Sequence, residues 1–256
     1  MKLSIITINL NNKPGLEKTL QSVFSQSFRD FEYIVIDGAS IDGSVEIIKR
    51  NEDKLNYWLS ENDTGIYNAM NKGIKVAKGN YCLFLNSGDY FCSETVLEDA
   101  FKIDFKEDIV YGVQIVVVNE AIKKSNFLDP QYITLQSFIN STLPHQCTFI
   151  KRLLFEKIGL YNEQNQIVSD WEFNLKALFI YNCSLRKIPV SISLFDTKGI
   201  SNNESFSAKH QKEKEEALKR VFPRIYPDYM NFKRIYNRYL RIPKLVRKAF
   251  NLRNNL

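Results

Sequence analysis

Two rhythms of apolar and polar positions alternate along the first 92 residues. Residues 3–8 form a continuous β-prone run, 9–15 are polar and turn-rich, and Leu16, Leu20, Val23 and Phe24 then recur at the spacing of one helix face. The unit repeats. Residues 33–36 predict a second strand that ends at Asp37, and the turn-like GASIDGS leads into a helix over 44–50. Residues 57–59 predict a third short strand, 66–77 a third helix with Ile66, Met70, Ile74 and Ala77 on one face, and 81–85 a fourth strand. Strands that are apolar on both faces and alternate with helices predict a mostly parallel central sheet flanked by helices, an α/β architecture.

Past residue 93 the rhythm changes. Residues 109–118 are strand-like without a helical partner, 119–145 are mixed, 147–150 predict a strand, and 154–158 and 171–181 predict helices. Residues 185–195 read as strands broken by Pro189, 208–222 as a charged helix, and 226–250 as a basic, aromatic-rich helix interrupted by Pro243. The expected organisation is one domain over 1–222, divided into halves 1–92 and 93–222, with a basic amphipathic helical tail over 223–256.

Composition changes this picture little. A chain of 256 residues with 44% hydrophobic and 25% charged residues builds an ordinary globular core. Cys82, Cys92, Cys147 and Cys183 lie far apart with no C-x-x-C, which argues against a cysteine metal cluster or a disulfide framework. No segment approaches the roughly 18 uncharged apolar residues needed to span a bilayer, so a cytoplasmic location is expected.

Charge is more informative. From Arg224 onward nine Lys or Arg stand against one acid, Asp228, so this tail carries +8 and residues 1–223 carry −2 of the overall +6. A solvated helical face is the default for such a segment. Its aromatic and aliphatic positions also give a basic amphipathic pattern, which predicts peripheral contact of 224–253 with the anionic inner face of the cytoplasmic membrane. No recognised motif frames these residues for nucleic acid, and no nucleic-acid partner is expected.

In an open parallel sheet, ligands bind beyond the carboxyl ends of the strands. Thr7 and Asn9, Asp37, Glu61 and Asp63, and Asn86 and Asp89 fall at the four predicted ends, an edge rich in acids that a bound cation would relieve. Neither G-x-G-x-x-G after the first strand nor G-x-x-x-x-G-K-[ST] is present, so phosphate would be met by metal and helix N-termini.

The segments TINLNN, TLQSVFSQ, YIVIDGASIDGS, SENDTGIYNAMNKGI and FLNSGD, followed by PHQ (144–146) and SDWEF (169–173), occur in an order and at spacings that resemble the family 2 glycosyltransferases of the GT-A fold. The D-x-GIY-x-AMNKG and FLNSGD variants are similar to the colanic-acid and capsule-type branch. The resemblance implies an inverting enzyme that moves a sugar from a UDP- or GDP-linked donor to a glycan or lipid-linked acceptor in capsule, O-antigen or exopolysaccharide synthesis. It implies a divalent metal, Mn²⁺ or Mg²⁺, at Asp89 and Asn86, where Asn86 stands in place of the first acid of the family's D-x-D type motif. It places base and ribose at Thr7, Asn9 and Asp37, with Asp63 and Asn71 as further nucleotide contacts, His145 on the metal or diphosphate side, and Asp170 as the base that removes the acceptor proton.

Plainer readings stand beside these. Asp37 or Asp42 caps the turn before the second helix, Asp63 caps the third, Asn71 faces solvent, Glu61 is structural, the Asn86 to Asp89 segment is a type I turn, and Ser169 caps the helix that carries Asp170. Glu172 falls on another side of that helix. The missing acid at Asn86 also raises an alternative function, a catalytically weak subunit that binds sugar nucleotide or glycan.

Overall fold

The computed structural model describes residues 1–118, 121–124, 129–196 and 207–241. The first half contains β1 (Leu3–Asn9), α1 (Lys13–Phe24), β2 (Phe31–Asp37), α2 (Ser44–Arg50), β3 (Tyr57–Ser60), α3 (Ile66–Val76) and β4 (Tyr81–Phe84). The second adds β5 (Tyr90–Phe91), α4 (Val96–Lys102), β6 (Ile109–Val118), β7 (Ala121–Lys124), α5 (Leu135–Ile139), β8 (Thr148–Lys151), α6 (Leu153–Ile158), α7 (Ser169–Phe179) and β9 (Leu185–Asp196). Helices α8 (Ser207–Val221) and α9 (Tyr226–Arg241) follow.

Strands pair in the order β3-β2-β1-β4-β8-β6-β9-β5, with β7 on β6. The four strands of the first half are parallel, as expected. β8 then runs antiparallel to both β4 and β6, β6 runs parallel to β9, and β5 closes antiparallel on β9. All seven residues of β1 are buried, and its two faces have different partners. Leu3 and Ile5, with Tyr33 and Val35 of β2, pack in one core with Leu16, Leu20 and Val23 of α1 and Ile47 and Ile48 of α2. α3 covers the opposite face. A Cβ at Gly73 would lie 2.5 Å from Cγ2 of Ile6, so only glycine lets this helix settle so close to the sheet.

Three elements differ from expectation. The buried face of α3 is Tyr67, Met70, Asn71 and Ile74, and Ile66 is 40% exposed. Helical spacing admits both registers, and a polar Asn71 hides the one adopted. Pro189 does not break its strand. Between the pairs Tyr111↔Lys187 and Val113↔Ser191, four residues of β9 advance against two of β6, a bulge in which a proline needs no ladder N–H. α7 begins at Ser169, two residues before the predicted start.

The chain divides into two compact units, 1–210 and 211–256, with the division inside α8. The expected continuation of the last helix from 242 to 250, including Pro243, lies outside the described residues. Among the described residues no helix is long and apolar enough to cross a membrane. The four cysteines are free, and burial pushes the thiols of Cys82 and Cys147 up to about 12.

Candidate active site

The turn that ends β4 is braced from α1. Asp89 N donates to Asn86 O at 2.8 Å, and Gly88 adopts φ +103, a left-handed conformation natural to glycine. The Thr19 hydroxyl lies 2.7 Å from Asp89 O and accepts from Gly88 N at 3.0 Å. Asn12, the N-cap of α1, donates to Ser87 O at 3.0 Å and receives the Ser87 hydroxyl on its own carbonyl. The Asp89 carboxylate is thus carried on a rigid backbone, with 12% of its side chain exposed.

His145 opens the short 3-10 turn His145–Cys147 ahead of β8 and stands between two acids. Its Nε2 is 3.6 Å from Asp89 Oδ2 and 3.1 Å from Asn86 Nδ2, and its Nδ1 is 3.9 Å from Asp170 Oδ2. Burial opposes the imidazolium, but the bond to Asp89 and the charges of Asp89 and Asp170 prevail, and its pKa is raised above the ordinary value. Asp170 lies in the first turn of α7, where the helix dipole favours a carboxylate. Its Oδ1 accepts from the Tyr67 hydroxyl at 2.8 Å. Burial first and the charge of Asp170 second hold the Tyr67 phenol well above its usual pKa, so it stays protonated and donates. Ser169 does not cap α7. The N-cap is Val168, and the Ser169 hydroxyl accepts from Asn162 N at 2.6 Å. Glu172 is buried against Asn165 and paired with Lys176, apart from Asp170.

At the ends of β1 and β2 the polar groups satisfy one another. Asp37 is fully buried; Oδ1 accepts from Asn9 Nδ2 (2.8 Å) and Ser40 Oγ (2.6 Å), and Oδ2 from Ser40 N (2.9 Å) and Ser60 Oγ (2.7 Å). Asn9 Oδ1 is buried without a partner. The Thr7 hydroxyl donates to Leu85 O at 2.7 Å and meets Tyr33 Oη at 3.0 Å, inside the sheet rather than at its edge. Asp63 is half-buried. It does not cap α3, whose N-cap is Gly65; it accepts from Gly65 N at 3.0 Å, and its Oδ2 lies over the backbone of Gly38. Asp42 accepts from Ser44 N and Lys13 N, and so supports the start of α2 from one residue before its N-cap, Gly43.

Asn71 is neither at this edge nor in solvent. It is buried, and its amide is taken up by Tyr161 and Glu163. Glu61 pairs with Lys72 at 2.9 Å, the structural part expected of it. Asp89, Asn86, His145 and Asp170 are therefore brought together; Asn9, Asp37 and Asp63 gather around Gly38; and Thr7 and Asn71 serve the interior. Sequence reasoning missed Tyr67, Ser40, Thr19 and Asn12. The partners of Tyr67, Thr19 and Asn12 are 70 to 103 residues away in sequence, while Ser40 binds Asp37 three residues before it and also accepts from Asn11 N, 29 residues away.

Among the described residues no group of three or more His, Cys, Asp or Glu side chains is placed to hold a metal ion by itself. The oxygens available are the Asp89 carboxylate and Asn86 Oδ1, which is buried with no hydrogen-bond partner.

The family model described as glycosyl transferase family 2 matches residues 4–159. The chain is 34% identical over 209 residues to an uncharacterized glycosyltransferase of Mycobacterium tuberculosis (strain CDC 1551 / Oshkosh), covering 80% of this chain and 79% of that protein. It is 32% identical over 180 residues to the PGL/p-HBAD biosynthesis glycosyltransferase of Mycobacterium bovis (strain BCG / Pasteur 1173P2), covering 68% of each. Among solved structures it is similar to S. aureus TarS 1-349 in complex with UDP-GlcNAc, at TM-score 0.69 and 21% identity, covering 86% of this chain and 65% of that one. It is similar also to the mannosyltransferase PcManGT from Pyrobaculum calidifontis in complex with GDP-Man and Mn²⁺, at TM-score 0.65 and 17% identity, covering 88% and 67%.

Proposed function

The chain belongs to glycosyl transferase family 2 and has the GT-A fold, and from that premise we propose that it is an inverting enzyme that moves one sugar from a UDP- or GDP-linked donor to an acceptor hydroxyl. The observation that supports this reading is the His145 ring standing between Asp89 and Asp170, with the acid that follows β4 on one side of the imidazole and the acid at the start of α7 on the other. Asp170 takes the proton of the acceptor hydroxyl as its oxygen bonds to the anomeric carbon and the nucleoside diphosphate leaves from the opposite face. This direct displacement needs no covalent intermediate.

The Asp89 carboxylate and the unpartnered Asn86 Oδ1 are hard oxygen donors that suit Mg²⁺ or Mn²⁺, with the diphosphate and water as further ligands. Such a cation, when bound, supplies positive charge to the departing diphosphate. His145, between Asp89 and Asp170, stands beside that site and offers a ring N–H toward the diphosphate. Asp63 and Asn9, around Gly38 and the buried Asp37, hold the base and ribose; Thr7 is bonded inside the sheet behind that edge, and Asn71 instead joins α3 to Tyr161 and Glu163.

One relative is a PGL/p-HBAD biosynthesis glycosyltransferase and another a poly(ribitol-phosphate) beta-N-acetylglucosaminyltransferase, which supports a lipid-linked or glycan acceptor in surface polysaccharide assembly. Within α9, Phe232, Ile235, Tyr236, Arg234 and Arg238 are exposed, a composition that suits an anionic membrane surface on the cytoplasmic side. The remaining tail positions of that reading, 242–253, lie outside the described residues. Asn86 in place of an acid favours a second reading, a donor-binding subunit with little turnover.

The test is nucleotide release from UDP-GlcNAc and GDP-mannose with Mn²⁺ or Mg²⁺. Release that Asp170→Asn and Asp89→Ala each lower about 100-fold or more supports the enzyme. Tight donor binding with no release on any acceptor supports the binding subunit.

A further inference from the structure

Tyr67 is the one side chain of the first half that reaches Asp170 by a hydrogen bond among the described residues. We propose that Tyr67 is a positioning residue, whose phenol holds Oδ1 of Asp170 and so leaves Oδ2, the oxygen on the His145 side, as the one that takes the acceptor proton. The inference rests on the reading of Asp170 as the base and deepens it.

The geometry is specific. The Tyr67 hydroxyl lies 2.8 Å from Oδ1, while Oδ2 lies 3.9 Å from His145 Nδ1, so the two carboxylate oxygens face different neighbours. Tyr67 has no freedom to leave. It is 5% exposed, its ring lies 5.6 Å from that of Tyr161, and Asn71, one helical turn later, binds the backbone of the same Tyr161 through both its N–H and its C=O. A carboxylate free to rotate about its last torsion would present either oxygen to the acceptor. One charge-assisted bond from a fixed phenol selects the rotamer, and a base held in its reacting geometry saves the orientation that would otherwise fall on the transition state. Because the bond acts on the orientation of a proton acceptor and not on donor contacts, it should govern turnover and leave donor affinity alone.

The experiment compares wild type, Tyr67→Phe, Asp170→Asn and the double variant, following release of UDP from UDP-GlcNAc or of GDP from GDP-mannose with Mn²⁺. Phenylalanine keeps the ring and its packing on Tyr161, and a thermal melt checks that the fold is kept. The expected result is a fall in kcat of about 10-fold or more for Tyr67→Phe, with donor KM within twofold of wild type and no further loss when Tyr67→Phe is added to Asp170→Asn. Wild-type kcat in Tyr67→Phe beside an inactive Asp170→Asn would overturn the assignment of Tyr67 and leave Asp170 as the base. A matching rise in KM, or losses that add in the double variant, would make Tyr67 a packing residue only. Full release by Asp170→Asn, or none by wild type with either donor, would overturn the reading of the base, and the Tyr67 assignment would fall with it.

Discussion

Asn71 binds Tyr161 as one strand binds the next: its Nδ2 donates to Tyr161 O at 2.9 Å, and its Oδ1 accepts from Tyr161 N at 3.0 Å. The second amide hydrogen reaches Glu163 at 2.8 Å, and Asn68 on the same helix reaches the other oxygen of that carboxylate. Truncation to alanine leaves a buried backbone N–H and C=O without partners. Asn71→Ala is therefore expected to cost about 2–4 kcal/mol in urea unfolding with no nucleotide present. A change under about 1 kcal/mol would show that the clasp contributes little.

The four donors around Asp37 make a second stability prediction. Asp37→Asn turns one acceptor into a donor that faces another donor, whichever way the amide is placed. A loss of about 2–3 kcal/mol is expected in the ligand-free protein, together with weaker donor binding. Weaker binding with unchanged stability would assign Asp37 to the ligand alone.

Gly88 sets the direction of the β4 turn. At φ +103 a side chain is strained, and its Cβ would meet Asn12 Nδ2 at 3.4 Å. Gly88→Ala is expected to lose about 1–2 kcal/mol of stability and to weaken Mn²⁺ binding measured by calorimetry, because Asp89 is the next residue. Unchanged metal affinity would mean that the turn does not aim the carboxylate.

His145 predicts a pH dependence in metal-free protein. Although burial opposes its charge, its two carboxylate neighbours raise its folded pKa above the unfolded one. The charged pair thus contributes stability that is fully present below about pH 6.5 and is lost as pH rises through the folded value. The stability gap between wild type and His145→Gln should be widest below about pH 6.5 and shrink as pH rises through the folded pKa, as read by denaturant titrations at fixed salt. A gap that widens with pH would reverse the sign of the argument.

Much of this was legible in the chain. The alternation of strands 3–8, 33–36, 57–59 and 81–85 with helices gave the parallel half because the apolar runs of β1, β2 and β4 are buried on both faces, with β3 part-exposed at the edge of the sheet, and the strand ends gave the polar edge. Asp89, Asn86, His145 and Asp170 were found through motif order, and they do meet. What sequence could not supply was the choice between equivalent local solutions. Spacing alone does not decide whether Ile66 or Tyr67 turns inward, nor whether Pro189 ends a strand or sits in a bulge, because both depend on partners far away in the chain. The hydroxyl of Thr19 was silent for the same reason: a threonine inside a helix gives no sign of an acceptor 70 residues away, whereas Ser40, bonded to Asp37 three residues before it, reads as an ordinary turn residue.

The grip of α3 on the other half has a bearing on how new specificities can be made. Tyr67, Asn68 and Asn71 of the first half hold Tyr161, Glu163 and Asp170 of the second. A chimera joined near residue 92 with the second half of a relative would inherit one side of each of these bonds without the other. Exchanges of acceptor preference should travel with this helix, as a matched set of contacts, rather than as interchangeable halves.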